Sequence, residues 1–396
     1  MPRSIFRMKG SKMVLLSICV LVIILLIAAV QFFFNPLGLG PEPETVLATD
    51  FFAVPAQDLN ELELLVDGEE AFAKILAAID SATDSIYIQT YIWKDDSTGK
   101  QVVAGLKNAI RRGVRVTVRK DILGTVFELG DILKGKPSPV FTKEGLKDHE
   151  NINVQLKVFA DTDHSKYFIV DERLVIVGGM NIADEYHTQW HDYMVLIRSS
   201  RWAKAFKKKV LDSISWPAPA PFVITVNDRK ATEIRTAFIE MIDNADENII
   251  IEHAYFSDDK VIAAVKRAAT RGVVVEIILP AKPDTHGYAN MVTVNKLLSP
   301  ETENNIRVHF FPKMSHAKVA LADGKIAVIG SANLTPRSML TSREVALFVH
   351  GTPDDPFIKK LRDQLAADIT ESKPVSKNFE LNVTDKIKAL AGKYMW

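Results

Sequence analysis

Two histidines carry the chemistry open to this chain, and each arrives in the same company. The first set is His164, Lys166, Asp171 and Asn181, with Asp192 further on; the second is His316, Lys318, Asp323 and Asn333, with Glu344 further on. Each member of the second set stands 152 residues after its counterpart (316 − 164 = 152; 344 − 192 = 152). Coincident offsets among polar residues mark a duplication, and repeated buried charge without a task is costly. Neutral imidazole is a nucleophile and, because it titrates near neutrality, a two-way proton carrier. A lysine ammonium is a point charge and an asparagine amide a directional donor. Such a set suits a phosphodiester, whose shielded phosphorus calls for a neutral nucleophile and for fixed positive charge around its oxygens. Lys166, Lys318, Asn181 and Asn333 are then the phosphate-binding residues. Asp192 and Glu344 accept from the far ring nitrogen of a histidine and set its tautomer and aim. Whether each carboxylate serves its own copy or the other stays open at this point.

The elements that position these residues repeat as well. In His-x-Lys at the head of a strand, alternation sends His164 and Lys166 to one face, and His316 and Lys318 likewise. Gly178-Gly179 and Gly330-Ser331 then turn the backbone so that Asn181 and Asn333 face the same point, each copy supplying half of a site. Short β-rich runs surround the first set at Ile152 to Phe159, Tyr167 to Val170, Leu174 to Val177 and Tyr193 to Ile197. Ile306 to Phe311, Val319 to Leu321, Ile326 to Ile329 and Val345 to Val349 match them. Upstream of each set the spacing predicts helix, strand, helix, strand. Phe72, Ile75 and Ile79 precede strand Ile86 to Trp93, then Val102, Leu106 and Ala109 precede Val114 to Val118. Phe238, Met241 and Ala245, Ile249 to Phe256, Val261 to Ala268 and Val273 to Leu279 repeat the order. Alternating strands and helices predict an α/β fold with a largely parallel sheet covered on both faces. The expected division is a first unit at 58–215, a proline-rich connector at 216–228, a second unit at 229–372, and a tail at 373–396 with a short helix beginning near Val383, either packed or interfacial.

Composition limits the partners. With 49 basic and 49 acidic side chains the net charge is zero, so no global basic field collects nucleic acid, which is an unlikely partner. The one cysteine, Cys19, lies in an apolar run, so neither disulfides nor a cysteine–histidine metal site are expected, and the site is expected to need no metal or cofactor. That run, residues 13–34, is long enough as a helix to cross a bilayer. Arg3, Arg7, Lys9 and Lys12 lie in the basic tail 1–12, and the first charges beyond the run are Glu42, Glu44 and Asp50. The expectation is an uncleaved single-pass anchor with its N-terminus inside, a spacer at 35–57, and the folded part across the membrane. His149, His187, His253, His286, His309 and His350, which stand outside the repeated sets, are read as structural.

His-x-Lys, an aspartate five residues after the lysine, and Gly-Gly/Ser-x-Asn resemble the HKD signature of the phospholipase D superfamily, over nearly all of the chain after the apolar run. Gly178-Gly179-Met180-Asn181-Ile182-Ala183-Asp184-Glu185-Tyr186 and Gly330-Ser331-Ala332-Asn333-Leu334-Thr335-Pro336-Arg337-Ser338 are similar to the motifs of bacterial cardiolipin synthases, as is Pro280-Ala281-Lys282-Pro283-Asp284. The chain departs from that pattern in its single apolar run, in Asp163-His164-Ser165-Lys166 where basic residues are usual, and in Ser342-Arg343 before Glu344. The resemblance implies two tandem phospholipase D-like α/β/α sandwich repeats forming one shared site. It implies that His164, Lys166, Asp171, His316, Lys318 and Asp323 form the catalytic set, although an aspartate at a strand-to-turn boundary more often ties down its own loop. It favours His164 as a nucleophile forming a phosphohistidine and His316 as acid and then base, the reverse assignment staying open. It further implies a membrane phospholipid substrate, an alcohol or phosphatidylglycerol acceptor, and residence in the inner membrane. A nuclease or another phosphodiesterase of the same superfamily is the alternative; a binding module that has lost activity is disfavoured by two intact polar sets.

Overall fold

The first half of the folded chain alternates elements as its apolar spacing dictates. After a short helix α1 (Thr49–Ala53) come β1 (Leu62–Val66), α2 (Asp67–Asp80), β2 (Ser85–Thr90), α3 (Ser97–Arg111) and β3 (Arg115–Asp121). A 3-10 turn, Ile122–Glu128, leads into α4 (Leu129–Leu133), followed by β4 (Ile152–Lys157), β5 (Tyr167–Val170), β6 (Leu174–Gly178), β7 (Tyr193–Arg198) and α5 (Ser200–Asp212). The computed structural model describes residues 45–394 apart from 48, 54, 56–58, 148, 158–161, 218, 219, 229, 301, 303, 376 and 377. The expected tail 1–12 and anchor 13–34 lie outside the described residues, among which no helix is long and apolar enough to cross a membrane.

Local chemistry accounts for the helices. Phe72, Ile75 and Ile79 form the buried stripe of α2, and Val102, Leu106 and Ala109 that of α3. Asp96 caps α3 by accepting from the Gly99 amide, and the chain leaves the helix through Gly113 at φ +90, a conformation that favours glycine. The second half runs β8 (Phe222–Asn227), α6 (Glu233–Asp243), β9 (Asn248–His253), α7 (Asp259–Thr270), β10 (Val274–Pro280), α8 (Gly287–Leu297), β11 (Ile306–Phe311), β12 (Lys318–Ala322), β13 (Ile326–Gly330), α9 (Pro336–Leu340) and β14 (Glu344–His350). It ends with α10 (Pro356–Glu371), β15 (Lys373–Pro374) and α11 (Val383–Tyr394).

The two sheets have one plan. The first orders its strands β1-β7-β6-β5-β2-β3-β4, and the second β8-β14-β13-β12-β9-β10-β11 with β15 added at the edge. Replacing each strand by its counterpart turns one order into the other, so the chain is a tandem α/β repeat. The expectation of largely parallel sheets is corrected. Only β2-β3-β4 and β9-β10-β11 pair in parallel; β5, β6 and β7, like β12, β13 and β14, pair antiparallel. The link between Val170 and Leu174 is too short for a crossover, which leaves a hairpin as the only connection. The connector and spacer are corrected too. Residues 222–227 are β8, paired with β14, because Phe222, Ile224 and Val226 alternate into the core. Leu47, from the expected spacer, is buried against the second half, where the Val46 and Leu47 amides donate to Glu240.

Strand alternation divides the core into layers. Phe168 and Val170 point to the cluster under α2 and α3, while Tyr167 and Ile169 point the other way. That second face joins Val319, Leu321, Leu347 and Val349 in a shared central core, with α5 and α10 contributing Phe206 and Leu361. The outer face of the second sheet is covered by α6, α7 and α8. Sheet therefore packs on sheet, and the loops just before β5 and β12 meet across the junction.

Candidate active site

Each site histidine sits in the loop that enters the strand at the centre of its sheet, β5 or β12, beside the C-terminal end of β2 or β9. The two loops are stitched across the repeats. The His164 amide donates to Arg343 O at 2.9 Å and the His316 amide to His191 O at 2.7 Å. His164 and His316 thereby line one cleft, together with Asn181, Asn333, Tyr91, Tyr186 and Arg337.

The carboxylates are exchanged between copies, which settles a point open in the sequence. His164 Nδ1 lies 3.0 and 3.2 Å from the two oxygens of Glu344, and His316 Nδ1 lies 2.7 Å from Asp192 Oδ2. An ionised carboxylate only accepts, so opposite ionised Glu344, and opposite Asp192 in its ionised form, Nδ1 carries the proton and Nε2 keeps its lone pair. Lys318 Nζ stands 2.9 Å from His316 Nδ1. As that nitrogen already donates to Asp192, the approach is a close charge and not a hydrogen bond.

The two pairs differ in environment. Burial pushes the Glu344 carboxyl up, but His164, Lys166 and the Ser331 hydroxyl outweigh it and hold it below its ordinary value. Ser331 and Ser338 donate to Glu344 at 2.5 and 2.8 Å. Asp192 has no such hydroxyls; burial pushes it up to about 7 against the pull of Lys318, the Tyr193 amide, His191 and Lys166. The Gly-Gly and Gly-Ser turns follow from this. A Cβ at Gly179 would stand 2.3 Å from Asp192 Oδ1, so only glycine lets the shorter carboxylate sit there, while the longer Glu344 leaves room for a serine that bonds it. Burial, with the neighbouring lysines, holds both imidazoles below their ordinary range, against Glu344 in the case of His164, so both are neutral at pH 7.

The lysines lie beneath the cleft. Lys166 and Lys318 each bond the carbonyl of the histidine two residues earlier, and burial lowers them to about 7 and about 8. Asn181 accepts from the Tyr91 and Ile92 amides at 3.3 and 3.0 Å, which turns its Nδ2 toward the cleft and the Tyr186 hydroxyl. Asn333 Oδ1 is buried and unpaired; a half-turn of the amide places a donor there.

The catalytic placing of Asp171 and Asp323 is corrected. Both follow the far ends of their strands, at φ 51, and bind turn amides. Asp171 accepts from Thr83, Asp84 and Ser85 at 2.8–3.0 Å, and Asp323 from Asp246, Glu247 and Asn248 at 2.8–3.0 Å. Five residues of extended chain separate Asp171 from Lys166, about 16 Å, too far to meet the same phosphate.

Several cleft residues were not singled out by spacing. Tyr91 meets the His164 ring edge-on at 4.9 Å, Tyr186 meets His316 at 5.1 Å, and Trp190 stacks on His316 at 5.7 Å. Arg337 donates to Thr162 at 2.7 Å and brings an arginine to the cleft, and His286, read as structural, lines it too. Arg337 and Tyr186 stand within the Gly-x-x-Asn motifs, the one signal that marked them.

Comparison with known proteins agrees with the duplication and the fold. The sequence profile described as "Cardiolipin synthase, PLD-like domain" matches residues 75–213 and again 238–369, one match in each half. The cardiolipin synthase of Listeria welshimeri serovar 6b is 27% identical over 354 residues, covering 81% of this chain and 71% of that protein. Cardiolipin synthase B of Salmonella typhi is 27% identical over 335 residues, covering 77% and 79%. Among solved structures, phosphatidylserine synthase from Haemophilus influenzae Rd KW20 has the same fold, with a TM-score of 0.65 at 14% identity over 87% of this chain and 94% of that one. With both halves matched by the one profile, the chain belongs to the family of cardiolipin synthase PLD-like domains.

Proposed function

We propose that the protein is a phosphatidyltransferase that moves the phosphatidyl group of a membrane phospholipid to an alcohol through a phosphohistidine on His164. The observation that carries this reading is the exchanged pairing, Glu344 on His164 and Asp192 on His316, around one cleft. His164 Nε2 attacks phosphorus and the bond to the headgroup oxygen breaks, its electron pair leaving with the headgroup. His316, protonated on Nε2 once the anionic diester is bound, gives that proton to the leaving alkoxide. Neutral His316 then takes the proton of an acceptor hydroxyl, whose oxygen attacks phosphorus as the phosphorus–nitrogen bond breaks. The firmly ionised Glu344 suits the ring that becomes cationic on phosphorylation, and Asp192, near 7, suits the ring that exchanges protons. This supports His164 over His316 as nucleophile. Asn181, Asn333 and the charges of Lys166, Lys318 and Arg337 stabilise the phosphoryl oxygens.

A lipid substrate is supported by the relatives, which carry the name cardiolipin synthase, and by the surroundings of the cleft. Phe127, at its edge, is 36% exposed and Leu133 on α4 is 66% exposed. Helix α11 presents Val383, Ile387 and Leu390, 74, 63 and 61% exposed, and its Gly392 adjoins His286 of the cleft. In this reading α11 lies on the lipid surface and residues 13–34 anchor the chain in the inner membrane, with the catalytic part on the outer side. The test is to incubate membranes containing the protein with phosphatidylglycerol as the one phospholipid. Free glycerol together with a doubled lipid is expected; glycerol with phosphatidic acid alone would make it a hydrolase, and cleavage of DNA without lipid turnover would favour the nuclease reading.

A further inference from the structure

The residue before each exchanged carboxylate is His191 in one copy and Arg343 in the other, again 152 apart (343 − 191 = 152). His191 is buried and Arg343 half-buried at the junction, and both clasp the opposite loop with their backbone. The His191 amide donates to Met314 O at 3.0 Å and its carbonyl accepts from His316; the Arg343 amide donates to Thr162 O at 2.6 Å and its carbonyl accepts from His164. Behind each stands the aspartate that follows the first strand of its copy. His191 Nδ1 is 2.7 Å from Asp67 after β1, and Arg343 Nη1 is 3.6 Å from Asp228 after β8. The opposite side of His191 faces carboxylates of the second copy, with Nε2 3.3 Å from Asp368 and 3.8 Å from Glu252, and 2.9 Å from the Tyr193 hydroxyl. A neutral ring could satisfy Asp67 through Nδ1 and accept from the Tyr193 hydroxyl, but only a charged ring donates on both sides at once, and the carboxylates gathered around it favour that form. An arginine supplies that charge without condition at the related position.

We infer that His191, held as imidazolium, is a positioning residue that locks Asp192 onto His316, at the position where the other copy carries Arg343. Burial works against the charge, but Glu252, Asp368 and Asp67 overcome it and raise His191 to about 11. Burial pushes Glu252 up to about 8; it pushes Asp368 up too, but the His191 and Tyr193 hydrogen bonds outweigh it and hold that carboxyl below its ordinary value, so Asp368 keeps a charge against His191 at neutral pH. Asp192 itself faces His316, Lys318, Lys166 and His191, and of these His191 is its sequence neighbour. Removing the His191 charge lets Asp192 take up a proton at higher pH, and a protonated Asp192 no longer accepts from His316 Nδ1.

This inference deepens the phosphatidyl-transfer reading, and the experiment separates the two. The purified full-length enzyme is assayed against pH with both phosphatidylglycerol vesicles and bis(4-nitrophenyl) phosphate. His191→Gln is expected to lower kcat at least about tenfold, leave KM within about twofold and move the acid limb of kcat up by about one pH unit. His191→Lys should recover most of the loss and leave the limb in place. Asp67→Asn, at a side chain that is 53% exposed, should shift the limb in the same direction by a smaller amount and decides the matter where His191→Gln does not fold. An unmoved limb, a lysine variant no better than the glutamine variant, or a stoichiometric metal ion bound by His191, Glu252 and Asp368 would overturn the inference. A wild-type enzyme that cleaves the chromogenic diester yet moves no phosphatidyl group would refute the functional reading alone, and the latch would still be judged on the chromogenic profile.

Discussion

In the proposed mechanism His164 can act as a nucleophile because a carboxylate from the other copy removes its choice of tautomer. Glu344→Gln keeps the shape but can turn a donor toward Nδ1, so His164 no longer presents Nε2 reliably. By the logic of a misoriented triad, kcat should fall about 10³–10⁴-fold with binding little changed, measured as phosphatidyl transfer under saturating lipid. Asp171 should behave in the opposite way. Burial pushes its carboxyl up, but the Ser85, Asp84 and Thr83 donors outweigh this and bring it to about 2. A depressed carboxylate contributes stability above its unfolded value, about 3.9, and that contribution is lost as pH falls through the folded value. Asp171→Asn should therefore cost about 1–2 kcal/mol of stability at neutral pH, as for a lost cap. The deficit against wild type should shrink as acid melts are carried toward pH 2, with kcat of the folded variant within about twofold. A large loss of kcat at unchanged stability would return Asp171 to the catalytic set.

At the scale of elements, the glycine turn after β6 is as much a part of the site as the side chains. Gly179→Ser copies the other repeat, yet a Cβ there stands 2.3 Å from Asp192 Oδ1 and no longer carboxylate is present to make room. Displacing Asp192 should cost about 10²-fold in kcat, whereas Ser331→Gly, which removes one of two hydroxyl donors to Glu344, should cost about 1–3 kcal/mol of stability, read by thermal melting. Much of this was legible before any coordinates. The repeated offset paired the residues, and the β-rich runs Tyr167 to Val170 and Val319 to Leu321 placed strands at the histidines, as the structure has them at Tyr167–Val170 and Lys318–Ala322. What was not legible is which copy each carboxylate serves, because the two copies read alike and the exchange exists only once sheet packs on sheet. Strand β8 was hidden behind prolines, and Tyr91 and Trp190 have the ordinary look of core aromatics until an imidazole is found against them. His191 was not singled out by its sequence setting; its offset from Arg343 becomes informative only when both are seen clasping the opposite loop.

For the whole molecule, the proposed function requires the cleft to meet a phosphate at the surface of a bilayer, and in that reading α11 sets the approach. Lys393 pairs with Asp259, Lys388 lies over Tyr288 at 4.9 Å, and Ala389 is buried, so one face of α11 is fixed to the fold. Val383, Ile387 and Leu390, spaced four and three residues apart, share the outer face. Burying two such side chains in lipid is worth about 3 kcal/mol or more, close to a hundredfold in partition, and replacing them by carboxylates reverses it. If residues 13–34 anchor the enzyme as proposed, only the part of this energy that orients the cleft should appear in turnover. In the full-length protein reconstituted into phosphatidylglycerol vesicles, Ile387→Glu with Leu390→Glu should lower lipid turnover about tenfold while hydrolysis of a soluble diester stays within about twofold. Equal loss on both substrates would mean that α11 braces the fold, through α8 and His286, and has no part in meeting the lipid.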